Sequence, residues 1–297
     1  PRERVVSRPK PGLWIAAGSL DGCVRVWDAS RRPGHTVVAP HQNAVTGLVF
    51  TAGGRRLVSC SWDGTIHVVD ATSGRLLAIP ARQEPAWFCL AAAPDGEAFA
   101  AGSVHDVRVF RGTDAPIVME QRDLKDPRSL AFDPSGSRLA CGSLDCTVRV
   151  FDAHTGQLVR LFRQPEERVL TVAFDPSGRR LFARSMDGKL WIFDVEAGRP
   201  EDVVATGSIG SGGIVLGPGA AQLICGEDTE IRWRNLPSGA LVRAIATSAR
   251  PLSMVICSPD GARVMSATHG GRVVDIWDVA TGALLLPLER HGAPGTA

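Results

Sequence analysis

Short apolar runs rich in Val, Leu, Ile, Ala and Phe recur along this chain, each broken by a turn carrying Gly or Pro, and they read as strands. The turns keep a register. Lys10-Pro11-Gly12, Ala52-Gly53-Gly54, Pro94-Asp95-Gly96, Pro134-Ser135-Gly136, Pro176-Ser177-Gly178, Gly217-Pro218-Gly219 and Pro259-Asp260-Gly261 end on glycines spaced 42, 42, 40, 42, 41 and 42 residues apart. A second marker follows each turn: Val24-Arg25-Val26-Trp27-Asp28 in the first unit, and its counterparts ending at Asp70, Arg111, Asp152, Asp194, Asn235 and Asp278. A third is a glycine four residues beyond the motif, at Gly74, Gly156, Gly198, Gly239 and Gly282. Gly there supplies a turn with positive φ.

Each unit therefore reads as strand, turn, strand, turn, strand, turn, strand. Several strands, such as Leu57-Val58-Ser59-Cys60, have no polar face, as expected when both faces of a sheet are packed. Stacking such sheets around an axis buries both faces and leaves only short edges. The expected fold is all-β: a seven-bladed β-propeller of four-stranded antiparallel blades. It forms one domain over residues 1–297, with blades near 3–36, 37–80, 81–121, 122–163, 164–205, 206–247 and 248–290.

The period and the terminal Trp27-Asp28 and Trp277-Asp278 pairs resemble the WD-repeat propeller family, in a divergent and bacterial form. That resemblance covers nearly the whole chain and implies a buried Asp–His–Ser–Trp network in each blade. The turn Asp matches Asp21, Asp63, Asp145, Asp187 and Asp228, and blade three lacks it; the His matches His41 alone, with Ser59 beside it. Blade two carries Val69 where Trp belongs, so no blade holds all four members, and apolar packing between blades is expected to hold the ring. Closure is open between face packing alone and a clasp strand lost by excision. The N-terminal Pro1 in place of Met suggests a piece of a longer protein.

Charge and chemistry narrow the function. Thirty-three basic and 31 acidic residues give a net charge of +2, without the bulk field that draws nucleic acid or a membrane. Seven cysteines, an odd number with no CxxC pair, suggest neither a disulfide framework nor zinc, and a reduced cytoplasmic setting is the simpler reading. The seven histidines, at 35, 41, 67, 105, 154, 269 and 291, fall at unrelated places in the repeat, so no metal or cofactor is expected. No catalytic signature is present, and the Gly207–Gly213 stretch reads as loop and inner strand rather than a phosphate cradle.

Two slots remain. Arg25, Arg108, Arg149 and Arg232, with His67 in blade two, form either a basic belt or structural arginines whose stems lie on a neighbouring blade and whose heads reach solvent. The residues before the turn Asp, Leu20, Trp62, Leu144, Met186 and Glu227, with Val104 in blade three, form either a partner-contact patch or side chains tucked on their own turns. The favoured reading is a monomeric, non-catalytic scaffold that holds a protein or peptide, within a larger signalling or regulatory protein. Bacterial chains of this Arg-rich, Tyr-free kind resemble the propeller tails of Ser/Thr protein kinases or NTPase regulators. The rival is a propeller hydrolase or lactonase with a site at the central channel, although the inner strands offer no carboxylates for it.

Overall fold

In the computed structural model the described residues form 28 strands arranged as seven four-stranded antiparallel sheets. The structure describes residues 4–7, 14–28, 35–38, 41–82, 85–112, 114–119, 123–206, 214–216, 222–227, 229–236, 238–247, 252–258, 262–268 and 274–288. Blade one is β1 (Arg4–Ser7), β2 (Trp14–Gly18), β3 (Val24–Asp28) and β4 (His35–Val38). Blade two is β5 (Val45–Thr51), β6 (Arg56–Ser61), β7 (Ile66–Asp70) and β8 (Leu76–Ala81). Blade three is β9 (Trp87–Ala92), β10 (Ala98–Ser103), β11 (Val107–Arg111) and β12 (Ile117–Val118). Blades four to seven open with β13 (Pro127–Phe132), β17 (Val169–Phe174), β21 (Ile214–Leu216) and β25 (Leu252–Cys257). They close with β16 (Leu158–Phe162), β20 (Arg199–Ala205), β24 (Leu241–Ala246) and β28 (Leu284–Leu288). The seven-bladed propeller that the repeat implied is what the chain adopts.

The core is seven seams rather than one centre. Because successive residues of a strand face opposite ways, each blade feeds two seams. In β2, Ala16 packs with Val45 and Leu48 of blade two, while Ile15 and Ala17 pack with Met265, Ala267 and Ile276 of blade seven. Likewise Leu57 faces blade one, and its neighbour Val58 joins Trp87 and Phe99 of blade three. The remaining seams follow in order between blades three and four, four and five, five and six, and six and seven. Apolar packing holds the blades together, as inferred from the incomplete polar networks.

Those seams settle closure. Blade one pairs its own β1 with its own β2, blade seven pairs its own β27 (Val274–Asp278) with β28, and β1 lies against β25. The ring closes by face packing through Ile15, Ala17, Met265 and Ile276, without strand exchange among the described residues.

The third-marker glycines serve packing as well as turning. Gly239 has φ of +70°, and a Cβ there would run into Val204 Cγ1 on β20, the outer strand of the preceding blade. Gly53 has φ of +63° but open space around its missing Cβ. Gly239→Ala is therefore expected to cost about 2 kcal/mol and Gly53→Ala about 1 kcal/mol, the left-handed penalty alone. Urea unfolding of the two variants checks this, and equal losses would show that the close approach contributes nothing.

Candidate functional site

Among the described residues, the hairpins joining the second and third strands of the blades build one face of the ring. In blades one, two, four and five the loop has five residues: Ser19–Cys23, Ser61–Thr65, Ser143–Thr147 and Ser185–Lys189. The turn Asp caps it by accepting the N–H two residues on: Cys23 to Asp21 (2.9 Å), Thr65 to Asp63 (2.9 Å), Thr147 to Asp145 (3.0 Å) and Lys189 to Asp187 (3.2 Å). The residue before the Asp is fixed by its own N–H, which Trp62 donates to Ala44 C=O and Met186 to Arg168 C=O. These bonds place the tips beside the first residues of the inner strands. Gly22, Gly64 and Gly188 complete the turn with φ near +80°, and Cys146 takes the same position with φ of 66°. Asp228 lies outside the described residues, as do the Gly207–Gly213 stretch and the turns at residues 10–12, 217–219 and 259–261.

Three of the six contact candidates stand out from this face: Leu20 is 48% exposed, Trp62 43% and Met186 39%. Val104 and Leu144 are half-buried. Glu227 does not belong with them. It is 1% exposed and ends the second strand of blade six, the place held by Ser61, Ser103, Ser143 and Ser185 elsewhere. Only four residues, 227–230, separate Gly226 from its partner Ile231, so alignment on Asp228 displaced the slot by one position.

Blade three has the same short hairpin, between Gly102 and Val107, and it does not lack a turn acid. Ser103 Oγ donates to Asp106 (2.5 Å), and the Ser103 N–H donates to the Asp106 carbonyl (2.9 Å). The acid sits at the end of the shortened loop, where a fixed offset from the turn misses it.

The arginine slot is structural, and its heads end on acids at the loop, from the nearly buried Arg149 to the one-third exposed Arg232. Each guanidinium turns back to an acid of its own hairpin: Arg25 to Asp21 (2.6 Å), Arg108 to Asp106 (2.9 Å), Arg149 to Asp145 (2.8 Å) and Arg232 to Glu230 (2.8 Å) and Glu227 (2.5 Å). Burial alone would raise the Asp21 pKa, but Arg25 and the Cys23 N–H outweigh it and hold the carboxyl at about 2.

Blade two carries the fullest version of the polar network. The Thr65 hydroxyl donates to Asp63 (2.7 Å), so His41 Nδ1–H donates to Thr65 Oγ1 (2.9 Å) and the Ser59 hydroxyl donates to His41 Nε2 (2.8 Å). His67 stacks on His41 with ring centroids 4.1 Å apart. Burial, followed by the His67 charge, lowers the His41 pKa to about 4. In blade seven Trp277 Nε1 donates to Ser266 Oγ (2.9 Å), the corresponding Trp–Ser pair. The Trp27 ring is half-buried and joins the seam between blades one and seven.

Blade six replaces this wiring with ions. Glu227 accepts from Arg234 Nε (3.0 Å), Arg232 Nη1 (2.5 Å) and the Cys225 thiol (3.2 Å). Burial opposes its charge, but the Arg234 guanidinium and the Cys225 thiol keep the Glu227 carboxyl below the usual range. Burial and that same charge push Cys225 up to about 12.

A set of residues at the channel mouth escaped the sequence reading. The pairing of inner and second strands slips by one at Thr46, Phe88, Arg128, Leu170 and Ser253, so these are bulge positions at the hairpin end of five blades. A bulge re-aims its residue out of the ladder. Thr46 Oγ1 donates to Trp87 C=O (2.6 Å) across blades, and the Arg128 guanidinium carbon lies 4.4 Å from the Phe88 ring centre. A one-residue register slip has no signature in composition or spacing.

The outer strands carry further exposed apolar side chains, among them Val37, Leu76, Val203, Leu241 and Leu284. Among the described residues no three His, Cys, Asp or Glu converge in a group able to hold a metal, and no helix is long and apolar enough to cross a membrane.

Seven blades, with acid-capped hairpins in blades one, two, four and five and exposed apolar tips in blades one, two and five, define a repeat propeller with one differentiated face. Four segments, residues 6–28, 32–70, 120–152 and 156–194, match the WD domain, G-beta repeat, and with the ring they support the WD-repeat propeller family. Two of them, 32–70 and 156–194, take in the outer strand of one blade and run through the third strand of the next. The chain is 30% identical over 173 residues to Periodic tryptophan protein 2 of Arabidopsis thaliana, a match covering 53% of this chain and 18% of that protein. It is 30% identical over 151 residues to the human U3 small nucleolar RNA-associated protein 4 homolog, covering 49% and 22%. It is also 27% identical over 166 residues to WD repeat-containing protein VIP3 of Arabidopsis thaliana, covering 50% and 51%. These matches thus span at most about half of each relative. All three relatives are eukaryotic, which lends nothing to the expected bacterial character.

Proposed function

We propose that this propeller is a non-catalytic scaffold that holds a protein partner on its hairpin face, as one domain of a larger signalling or regulatory protein. One observation carries the reading. Leu20, Trp62 and Met186 come from three different blades, occupy one slot and are all exposed at the same face. Rigid seams on both sides of each blade hold those tips without an ordering cost on binding, and large exposed apolar side chains anchored on a rigid frame are the usual energetic centres of an interface. The similarity to WD-repeat proteins, among them one named for association with U3 small nucleolar RNA and one named as autophagy-related, points to assembly work rather than turnover. Cytoplasmic residence remains part of the reading on composition alone.

The rim offers the natural control. Trp62→Ala combined with Met186→Ala is expected to reduce retention of partner proteins by the immobilised chain about tenfold or more at unchanged melting temperature. Leu76→Ala combined with Leu241→Ala, on the outer strands, is expected to leave retention intact. Quantitative mass spectrometry of the retained proteins reads both, and the reading fails if the rim pair matters and the face pair does not.

A further inference from the structure

At the hairpin end of the inner strands, Arg128 and Phe88 sit on the bulges of adjacent blades, with the guanidinium over the ring. Both are half-buried. The hairpin acids around them are already committed within their own blades, Asp21 to Arg25, Asp106 to Arg108, Asp145 to Arg149 and Asp187 to Lys189. Among the described residues Arg128 has no ion pair, and its contact is the aromatic ring. A guanidinium placed over a ring, with no ion pair taking up its donors, suits one carboxylate gripped by two parallel N–H bonds. Leu170 occupies the next bulge, and the apolar tips of Trp62 and Met186 lie at the same end of the ring.

We infer that the channel mouth reads an acidic side chain, Asp or Glu, set between apolar residues of an extended partner segment, with Arg128 donating to its carboxylate and Phe88 as the platform that orients Arg128. This rests on the reading of the hairpin face as the partner surface and adds the partner's chemistry. A single stacked guanidinium with no helix N-terminus beside it fits a monoanion better than a phosphate dianion. The segments that lead into the inner strands of blades four and five carry mixed charge, with Lys125 and Asp126 before one and Glu166, Glu167 and Arg168 before the other, so selection falls on the stacked arginine rather than on a general basic field.

The test uses the 297-residue chain on an array of nine-residue peptides with Leu, Ile or Phe flanking a central residue. The centre is Asp or Glu, the matching amide, phosphoserine or Lys. Acid-centred peptides are expected to bind at least tenfold above their amide partners. Arg128→Gln should erase that preference, Arg128→Lys should restore only part of it, and melting temperature should not move. Equal binding of acids and amides, a preference surviving Arg128→Gln, or stronger binding of phosphoserine would each overturn the inference. Binding that ignores the centre yet falls with Trp62→Ala and Met186→Ala would overturn it while leaving the scaffold reading in place. Absence of binding to every peptide overturns it as well, and the protein-retention experiment then decides the scaffold reading separately.

Discussion

Glu227→Gln is expected to lower the unfolding free energy by about 3 kcal/mol. The carboxylate is 2% exposed and sits between Arg234, 14% exposed, and Arg232, about one-third exposed. Taking one charge from a buried group leaves its partners desolvated without compensation, at a cost of roughly 3–5 kcal/mol for a fully buried pair. The partial exposure of Arg232 puts this case at the lower end. Glu230 supplies the comparison, because its pair with Arg232 is about one-third exposed on both sides and such pairs contribute less than about 1 kcal/mol. Urea unfolding at neutral pH should separate Glu227→Gln from Glu230→Gln by a clear shift in midpoint at unchanged slope. Glu227→Met combined with Arg234→Leu should recover part of the loss, since the need for the carboxylate comes from the arginine beside it. Similar small losses in both single variants would mean that water reaches the cluster.

Blade six also shows why some of this protein was legible as sequence and some was not. The fold rests on signals that recur, and turn glycines spaced by 40 to 42 residues survive any single irregular unit. Leu20, Trp62 and Met186 were visible because the five-residue hairpin keeps a fixed offset from the turn. Glu227 was misplaced and Asp106 overlooked because their hairpins are one residue shorter, and a loop absorbs that change without disturbing either strand. The partner of each slot arginine was hidden for another reason. Arg25 and Asp21 are four residues apart across a turn, and only the turn geometry brings a side chain that faces the seam back to the loop. Phe88 and Arg128 are 40 positions apart and meet only because two bulges aim them together.

Acid should loosen the ring through blade two. His41 is buried and neutral, with Nδ1 donating to Thr65 and Nε2 accepting from Ser59, so a second proton on Nε2 would face a hydroxyl that already donates to it. Its pKa is about 4 in the folded chain against about 6.5 when unfolded. Between those values the unfolded chain binds a proton that the folded chain refuses, so stability falls as pH drops from about 6.5 to about 4 and this contribution is constant below. The His41 contribution amounts to about 3 kcal/mol. His67, whose pKa burial also lowers, acts in the same direction, whereas Asp63 is held below the ordinary carboxylate range and stays ionised through that window. Urea midpoints taken from pH 7 to pH 4.5 should therefore decline steeply in the parent chain, and the decline should flatten in His41→Asn. A parent profile that is level over this range, or a variant that keeps the full decline, would show that acid enters elsewhere. Because His41 N–H donates to Gly22 C=O (2.8 Å) while its ring holds the blade-two hairpin, its protonation strains two blades at the Leu20 and Trp62 tips, and partner retention should weaken in acid before the ring unfolds.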